Sequence, residues 1–263
     1  MKPSTLRTRT FTHLLPAHVE PWILEGTVTI VIDVLRATTT IAWALGSGAA
    51  RVLPVLEPAD ATSLRDRLEG RERVILGGER MGVRIEGFHL GNSPRDYDAD
   101  RVDGRTIVFT TTNGTRALAH ARKARRVLAG SFACLSAVAR VARSAAAEQT
   151  SDVHLLCAGT DGGVTLEDVL VAGALAERLS DDAPAGNDET LLALHAWRHV
   201  ASAPGEQGER IARAMRDARG GVNLVQLGFE RDIRDASIID HVNACPELVT
   251  GQDGPALVAA REG

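Results

Sequence analysis

The stretch Thr27-Val28-Thr29-Ile30-Val31-Ile32-Asp33 decides the fold, because it is a nearly continuous run of β-branched residues that ends in a carboxylate. Such a run predicts a strand that is buried on both faces, as strands of parallel or mixed sheets are. A polar loop follows at once, and the apolar spacing then predicts a helix over residues 38–46. A buried strand that leads through a loop into a helix is the basic unit of α/β proteins.

The same alternation continues along the rest of the chain. Further strands are predicted at residues 51–55, 73–76, 105–110, 126–130, 153–157 and 248–249, and further helices at residues 58–70, 115–123, 134–147, 166–179, 189–201 and 210–219. This order predicts a mostly parallel or mixed central sheet with helices on both faces. We predict one domain over residues 1–263, with an N-terminal extension at residues 1–26 and a C-terminal tail at residues 250–263.

The composition is that of an ordinary globular protein. Hydrophobic residues make up 44% of the chain but aromatic residues only 3%, so the core must be built from aliphatic side chains. The formal net charge of -4 provides no basic field that would attract nucleic acid. No apolar run approaches the roughly 18 residues of a membrane helix, and no signal-peptide pattern is visible. Three widely separated cysteines fit a reducing compartment. We therefore predict a cytoplasmic protein without nucleic-acid or membrane partners.

The loop after the first strand is the first candidate for chemistry. Asp33 ends an apolar strand, which is a common position for a catalytic or metal-binding carboxylate, and Arg36 can bind a phosphate or carboxylate through two N–H groups. Thr38 and Thr39 stand at the start of the helix, where an anion is favoured. The structural alternative is that Asp33 only closes a turn and Thr38 only caps the helix.

A second loop has the sequence Thr110-Thr111-Thr112-Asn113-Gly114-Thr115-Arg116 and also joins a predicted strand to a predicted helix. Its hydroxyls, amide and arginine suit an oxyanion site, and Gly114 allows the backbone to come close. The Gly-Lys-Ser/Thr ending of a Walker A loop is missing. The two strand-loop-helix units are either an internal repeat or two generic units, and either way their loops lie where α/β sheets bind ligands.

Two more loops carry acids. Glu79 and Arg80 lie in a long glycine-rich stretch and offer a base or metal ligand and an anion contact. Asp161, Glu167 and Asp168 lie in and after the loop that follows the strand at residues 153–157. Helix capping can account for Asp168, but it explains Asp161 and Glu167 less well. Those two remain candidate metal ligands.

An ordered set of short strings is similar to the 2-phosphosulfolactate phosphatase family. The strings are Asp33-Val34-Leu35-Arg36-Ala37-Thr38-Thr39-Thr40, Gly78-Glu79-Arg80, Gly87-Phe88, Leu90-Gly91-Asn92-Ser93-Pro94, Thr110-Thr111-Thr112-Asn113-Gly114-Thr115, Cys157-Ala158-Gly159, Glu167-Asp168, Leu227-Gly228-Phe229 and Asp232-Ile233. Any one of them is weak evidence, but their common order between Val28 and Pro246 is specific.

The resemblance implies a three-layer α/β/α fold and a Mg²⁺-dependent hydrolase. The implied reaction converts 2-phospho-3-sulfolactate to 3-sulfolactate and phosphate, in coenzyme M biosynthesis. The expected catalytic residues are Asp33, Arg36, Glu79 and Asp161. The expected metal ligands are Asp33, Glu79, Asp161, Glu167 and Asp168, since Mg²⁺ prefers oxygen ligands. The expected substrate-binding residues are Arg36, Thr38, Thr39, Arg80, Asn92, Ser93, Thr111, Thr112, Asn113, Gly114, Thr115 and Arg116.

Several alternatives stay open at the level of sequence. Attack on phosphorus can come from a metal-activated water or from Asp33, through an aspartyl-phosphate. The substrate can be another small phosphorylated hydroxy acid, because the Arg- and Ala-rich composition need not belong to a methanogen. An alternative function, from a different functional class, is that of a non-catalytic anion-binding or regulatory module. Such a module has little use for this many acids. A homodimer is possible.

Overall fold

The computed structural model describes residues 8–260. The strands in this range are β1 (Thr10–His13), β2 (Val28–Ile32), β3 (Arg51–Pro54), β4 (Val74–Arg80), β5 (Val83–Arg84), β6 (Thr106–Thr110), β7 (Arg126–Gly130), β8 (Val153–Cys157), β9 (Pro246–Gly251) and β10 (Gly254–Ala259). The α-helices are α1 (Ala37–Gly46), α2 (Pro58–Leu68), α3 (Ala99–Val102), α4 (Gly114–His120), α5 (Leu135–Gln149), α6 (Leu166–Leu179), α7 (Asp188–Ser202), α8 (Gln207–Asp217), α9 (Arg219–Gln226) and α10 (Glu230–Ala236). None of these helices is both long enough and apolar enough to cross a membrane.

Within residues 8–260 the ten strands form one mixed sheet in the order β1-β8-β2-β7-β9-β10-β3-β6-β4-β5. The first four strands of that order are mutually parallel, and so are β3, β6 and β4. The β9–β10 hairpin lies between these two groups and is antiparallel to both. The two parallel halves of the sheet therefore run in opposite directions.

The ladders that attach the hairpin are short. In the register of paired Cα atoms, β9 meets β7 only at Leu248 and Glu247, while β10 meets β3 only at Leu257. Inside the hairpin, by contrast, pairing runs along its whole length. The centre of the sheet thus depends on a hairpin that holds each half through a few backbone hydrogen bonds.

The core lies on both faces of the sheet, as a run without polar alternation predicts. Ile30 and Ile32 of β2 pack in one cluster with α5, α6 and α7, whereas Val31 packs in a second cluster with Ile41 of α1 and Leu118 of α4. A third cluster joins α2 to β3, β4 and β6. Each fully buried aliphatic side chain contributes on the order of 1.5–3 kcal/mol to stability. Helices cover both faces, so the predicted three-layer α/β/α fold is confirmed.

Most predicted strands and helices are present, and the main differences lie at the two ends of the chain. Part of the expected N-terminal extension forms β1, and the expected C-terminal tail completes β9 and forms β10. Residues 1–7 and 261–263 of those two segments lie outside the described residues. Neither end strand was predicted, because four to six residues with ordinary alternation give too weak a pattern to separate a strand from a loop.

The edge strand β1 is joined to β8 by a pair of histidines. His13 Nε2 lies 2.9 Å from His154 Nδ1, and the two rings stack with centroids 5.1 Å apart. Burial lowers the pKa of each histidine to about 4, and for His13 the neighbouring His154 adds to the effect. Both rings are therefore neutral in the folded protein at pH 7.

We expect this pair to reduce stability in mild acid. A histidine whose folded pKa is about 4 takes up a proton at pH 5 only in the unfolded chain, where its pKa is 6.5. Between pH 6.5 and 5 the unfolded state therefore gains about 2 kcal/mol per histidine. His154→Phe should lose less stability than the wild type over this interval, by about 2 kcal/mol, in urea unfolding at pH 7 and pH 5.

The comparison of the two proteins is needed because buried carboxylates with raised pKa values change stability in the opposite direction over the same interval. Their effect is common to both proteins and cancels in the difference. Equal pH dependence of wild type and His154→Phe would contradict the role given to the pair.

Candidate active site

A cleft of about 380 Å³ opens where β2, β4 and β6 end. Its lining residues are Asp33, Leu35, Arg36, Glu79, Met81, Gly82, Asn92, Thr112, Asn113, Thr160, Asp161, Gly220, Asn223, Leu224, Gln226 and Leu227. A larger cavity of about 850 Å³ lies beside α8 and α10, but none of the predicted site residues lines it. The smaller cleft is the candidate active site, because predicted carboxylate, arginine and threonine side chains meet there.

Gly114 brings the two halves of the sheet together at Asp33. A Cβ atom placed on Gly114 would lie 2.7 Å from Asp33 Oδ2 and 2.6 Å from Ala37 Cβ, so no side chain fits there. Asp33 itself is fixed from the other side, because its N–H donates to Thr38 Oγ1 at 3.2 Å and its C=O accepts from the Thr38 N–H at 2.9 Å. The close approach that requires this glycine is to Asp33 and Ala37. The approach to a bound oxyanion stays a prediction.

Four buried acids, Asp33, Glu79, Glu167 and Asp168, lie close enough to interact electrostatically. Burial raises the pKa of Asp33 well above its usual value, and Asp168 and Glu79 raise it further. Burial also raises the pKa of Asp168 to about 6, and burial together with Asp168 raises the pKa of Glu167 to about 7. A group of acids with raised pKa values in a cleft is a common feature of functional sites. A cation bound among them would favour their ionised forms.

Asp168 connects the ends of β2 and β8. Its Oδ1 accepts from the Val34 N–H and its Oδ2 from the Gly159 N–H, both at 3.0 Å. Both carboxylate oxygens are therefore engaged with backbone from two strand-end loops. Asp168 does not line the cleft, and its contacts hold the loops that do.

Glu79 has a similar arrangement on the other half of the sheet, but it lines the cleft. Its Oε1 accepts from the Thr112 N–H at 2.8 Å, and its Oε2 accepts from the Gly82 N–H at 2.7 Å. The carboxylate thus ties the loop after β6 to the turn between β4 and β5. This gives the glycine-rich stretch around Glu79 a fixed conformation.

Glu167 keeps one oxygen without a partner. Its Oε1 accepts from the Gly220 N–H at 3.0 Å, while its Oε2 is buried and has no hydrogen-bond partner among the described residues. A buried, unpaired carboxylate oxygen costs free energy unless another group binds it. Because Gly220 lines the cleft, the hydrogen bond to Oε1 places the Glu167 carboxylate behind the wall of the site.

Arg36 is held by residues of the C-terminal segment. Its Nη1 donates to Asp232 Oδ2 at 2.7 Å, its Nη2 donates to the Gly82 carbonyl at 2.6 Å, and its guanidinium lies 4.5 Å from the centre of the Phe229 ring. Asp232 also accepts from Ser93 Oγ at 2.7 Å. The arginine is only 3% exposed, so its position in the cleft wall is fixed by this network.

The predicted site residues fall into three groups. Asp33, Arg36, Glu79, Asn92, Thr112, Asn113 and Asp161 line the cleft. The residues behind this lining, which support it, are Thr38, Thr39, Ser93, Thr111, Gly114, Thr115, Glu167 and Asp168. The structure does not bring Arg80 and Arg116 to the cleft.

Arg80 and Arg116 lie instead beside Glu57, at 3.7 and 3.9 Å. Arg80 also donates to the Leu56 carbonyl and to Thr110 Oγ1, so its side chain joins the ends of β3 and β6. Successive side chains along a strand point to opposite faces of the sheet. Glu79 therefore enters the cleft, and Arg80, the next residue, does not.

The five expected metal ligands do not form one cluster in the described part of the chain. Among residues 8–260, no group of three or more His, Cys, Asp or Glu side chains is placed to hold one metal ion. In both Asp168 and Glu79, each carboxylate oxygen accepts a hydrogen bond from a backbone N–H group. Mg²⁺ in phosphoryl-transfer sites usually keeps several waters and uses one or two carboxylates. Of the expected ligands, Asp33 lines the cleft, and Glu167 has a buried oxygen without a hydrogen-bond partner among the described residues.

Sequence reasoning missed the contribution of α9 and of Asp232 to the site. Asn223 and Gln226 of α9 line the cleft, and Asp232 holds Arg36. In the sequence, Asp232 stands out only as part of a short string shared with the family, Asp232-Ile233. The available signal was an acid on the buried side of a short helix, since such an acid needs a cationic or N–H partner.

Most of this architecture matches one known family. Residues 14–251 match the family described as 2-phosphosulpholactate phosphatase. The chain belongs to this family. The match includes β2, β4 and β6, which end at the cleft, and also α9 and α10.

Curated relatives give the same result for the 2-phosphosulpholactate phosphatase family. The chain is 40% identical over 232 residues to a probable 2-phosphosulfolactate phosphatase of Symbiobacterium thermophilum, which covers 87% of this chain and 94% of the relative. Relatives with the same description, each 39% identical, occur in Thermotoga maritima over 228 residues and in Deinococcus radiodurans over 231 residues. These matches cover 87% of this chain and 92% and 90% of the two relatives.

We expect Gly114→Ala to damage the cleft without unfolding the protein. The added methyl must displace Asp33 Oδ2 or Ala37, because it would lie within 2.7 Å of both. Turnover of the family's substrate should fall at least tenfold. A misplaced Asp33 needs to lose only about 1.4 kcal/mol of transition-state stabilisation for that effect. Gly208→Ala is the matched control, because its Cβ would meet only the flexible Glu206 and Ser237 side chains. Full activity of Gly114→Ala, measured as phosphate release, would contradict the close approach.

The Arg36–Asp232 pair should behave as a buried ion pair. Its side chains are 3% and 4% exposed, so Asp232→Leu leaves a buried charge without its partner and should cost about 3–5 kcal/mol of unfolding free energy. The double variant Arg36→Met/Asp232→Leu should recover about 2 kcal/mol or more of that loss, because no buried charge remains. The exposed pair Arg101–Asp98 is the control and should contribute about 1 kcal/mol or less. Additive costs of the two single substitutions at residues 36 and 232 would show that the pair is not coupled.

Proposed function

We propose that the protein is a Mg²⁺-dependent phosphatase that hydrolyses 2-phospho-3-sulfolactate to 3-sulfolactate and phosphate. The observation that carries the proposal is the buried carboxylate of Asp33 in a cleft with Arg36, Thr112 and Asn113, in a chain of the 2-phosphosulpholactate phosphatase family. A phosphoric monoester needs an anion site beside a group that activates or performs the attack on phosphorus. The cleft offers both within one wall.

The phosphoryl group is proposed to lie between Arg36 and the loop after β6. Arg36 retains N–H groups that its bonds to Asp232 and Gly82 do not use, because a guanidinium has five. The Thr112 hydroxyl is buried without a hydrogen-bond partner among the described residues and lines the same cleft. Both can donate to phosphoryl oxygens, and their fixed positions avoid reorganisation during the reaction.

Asp33 and Glu167 are the residues proposed to hold the metal ion. When bound, Mg²⁺ supplies positive charge that balances the charge developing on the phosphoryl oxygens. Ionised Asp33 either orients the attacking water or attacks phosphorus itself, and in both cases the P–O bond to the sulfolactate oxygen breaks and that oxygen takes up a proton. In the second case a water then hydrolyses the aspartyl-phosphate and releases phosphate. Glu79 and Asp168 hold the surrounding loops, since their carboxylates accept backbone hydrogen bonds on both oxygens.

The test is phosphate release from 2-phospho-3-sulfolactate by the purified protein, with Mg²⁺ and with EDTA. We expect turnover that needs the metal and a loss of about 10³-fold or more in Asp33→Asn, because the amide neither ionises nor attacks. Asn243→Leu removes an exposed amide that lies beside Arg140 of α5 and does not line the cleft, so this variant should keep normal turnover. Acid-quenched protein from a reaction with phosphate-labelled substrate would carry label only if Asp33 attacks directly.

Four outcomes would overturn parts of the proposal. Activity that survives EDTA would exclude a role for the metal. Near-normal turnover by Asp33→Asn would exclude a catalytic role for Asp33. Release of phosphate only from other phosphorylated hydroxy acids changes the substrate, and binding without turnover of any member of the panel favours the anion-binding module. A cytoplasmic location, a place in coenzyme M biosynthesis and a homodimer stay predictions from the sequence.

A further inference from the structure

One side of α9 forms a wall of the cleft that no proposed catalytic role uses. The cleft-facing residues are Gly220, Asn223, Leu224, Gln226 and Leu227. Their spacing follows the helical period, so they lie on one side of the helix. The start of α9 is fixed, because the Gly220 N–H donates to Glu167 and Gly221 has no room for a Cβ beside the Met215 carbonyl. The wall therefore has a defined position relative to the buried acids.

The cleft-facing side chains of this wall are polar but uncharged, while Arg219 at the start of α9 pairs with the cleft-lining Asp161 at 3.4 Å. Its polar side chains are the amides of Asn223 and Gln226, and neither makes a hydrogen bond to any residue in the range 8–260 that the structure describes. Asn223 is half-buried, and each amide group has two N–H donors. The charged side chains of the cleft, Asp33, Arg36, Glu79 and Asp161, all come from other elements.

The volume of the cleft leaves room for more than a phosphoryl group. A space of about 380 Å³ can hold a whole small acid with its phosphate. If the phosphoryl group lies beside Arg36 and Asp33, the rest of the molecule extends toward another wall, and α9 supplies the free hydrogen-bond donors there. Two apolar residues of the same wall, Leu224 and Leu227, can pack on the carbon chain.

We propose that Asn223 and Gln226 bind the sulfonate at the non-reacting end of the substrate and so determine specificity for a sulfonated phosphoester. This inference rests on the proposed function. A sulfonate is a weakly basic anion with its single charge spread over three oxygens, so neutral amide donors suit it. A dianionic phosphoryl group is bound more strongly by Arg36 and a cation. The cleft-facing amides offer a phosphate no positive charge, and Arg219 at the start of α9 is paired with Asp161. The reversed orientation, in which the phosphate would lie far from Asp33, is therefore less favourable.

The test compares two substrates that differ only in the sulfonate. These are 2-phospho-3-sulfolactate and 2-phospholactate, in which a hydrogen replaces the sulfonate on the same carbon. The variant Asn223→Leu keeps the size of the side chain but removes its donors. We expect kcat/KM for the sulfonated ester to fall about tenfold or more, mainly through KM, because a hydrogen bond to an anion is lost. The value for 2-phospholactate should change less than twofold.

Two further variants sharpen the comparison. Asn223→Asp puts a negative charge beside the sulfonate and should lower kcat/KM for the sulfonated ester about 100-fold, with a smaller effect on 2-phospholactate. Gln226→Leu should act in the same direction as Asn223→Leu but less strongly, because Gln226 is more exposed to solvent. Asn243→Leu is the amide control and should leave both substrates unchanged.

The outcomes separate this inference from the proposed function. An equal loss with both esters, or no loss with either, would overturn the role of α9 while an active wild type still supports the phosphatase. A wild type that releases phosphate from neither ester would contradict the proposed function, and the inference would fall with it. A loss confined to the sulfonated ester is the result that supports the sulfonate site.

Discussion

The contact on which the site depends is the approach of Gly114 to Asp33. The two belong to halves of the sheet that run in opposite directions, and strand ends in such halves would ordinarily point away from each other. Here a backbone without a side chain lies directly against a buried carboxylate. Because that contact exists, Asp33 and Arg36 from one half share a cleft with Glu79 and Thr112 from the other.

Backbone N–H groups then stabilise the acids around that contact. Asp168 accepts two such hydrogen bonds on one half of the sheet, and Glu79 accepts two on the other. Each carboxylate joins two loops that are far apart in sequence, so the loops cannot move independently. Glu167 accepts one such hydrogen bond and keeps its other oxygen buried without a partner among the described residues, while Asp33 lines the cleft. The four acids therefore differ in their hydrogen bonds and not in their burial, which is similar for all four.

The sequence predicted the strand at β2, the alternation of strands and helices, and most of the loops that line the cleft. These features depend on local patterns, namely runs of β-branched residues and polar strings at strand ends. It could not predict that Arg80 points to Glu57, because the direction of a side chain after a strand depends on the register of the sheet. The roles of Asp232 and α9 depend on tertiary contacts across more than a hundred residues, and no local pattern contains them.

The position of the β9–β10 hairpin has a consequence for the order of folding. The middle of the sheet is formed by residues 246–259, near the end of the chain. On the ribosome, both halves of the sheet are synthesised before the segment that links them by hydrogen bonds. The edges of β7 and β3 stay unpaired until then, and exposed strand edges are sites of aggregation. The two half-sheets can therefore join only after residues 246–259 have been synthesised, and a nonsense codon shortly before residue 246 would leave every residue of the cleft present but the sheet divided.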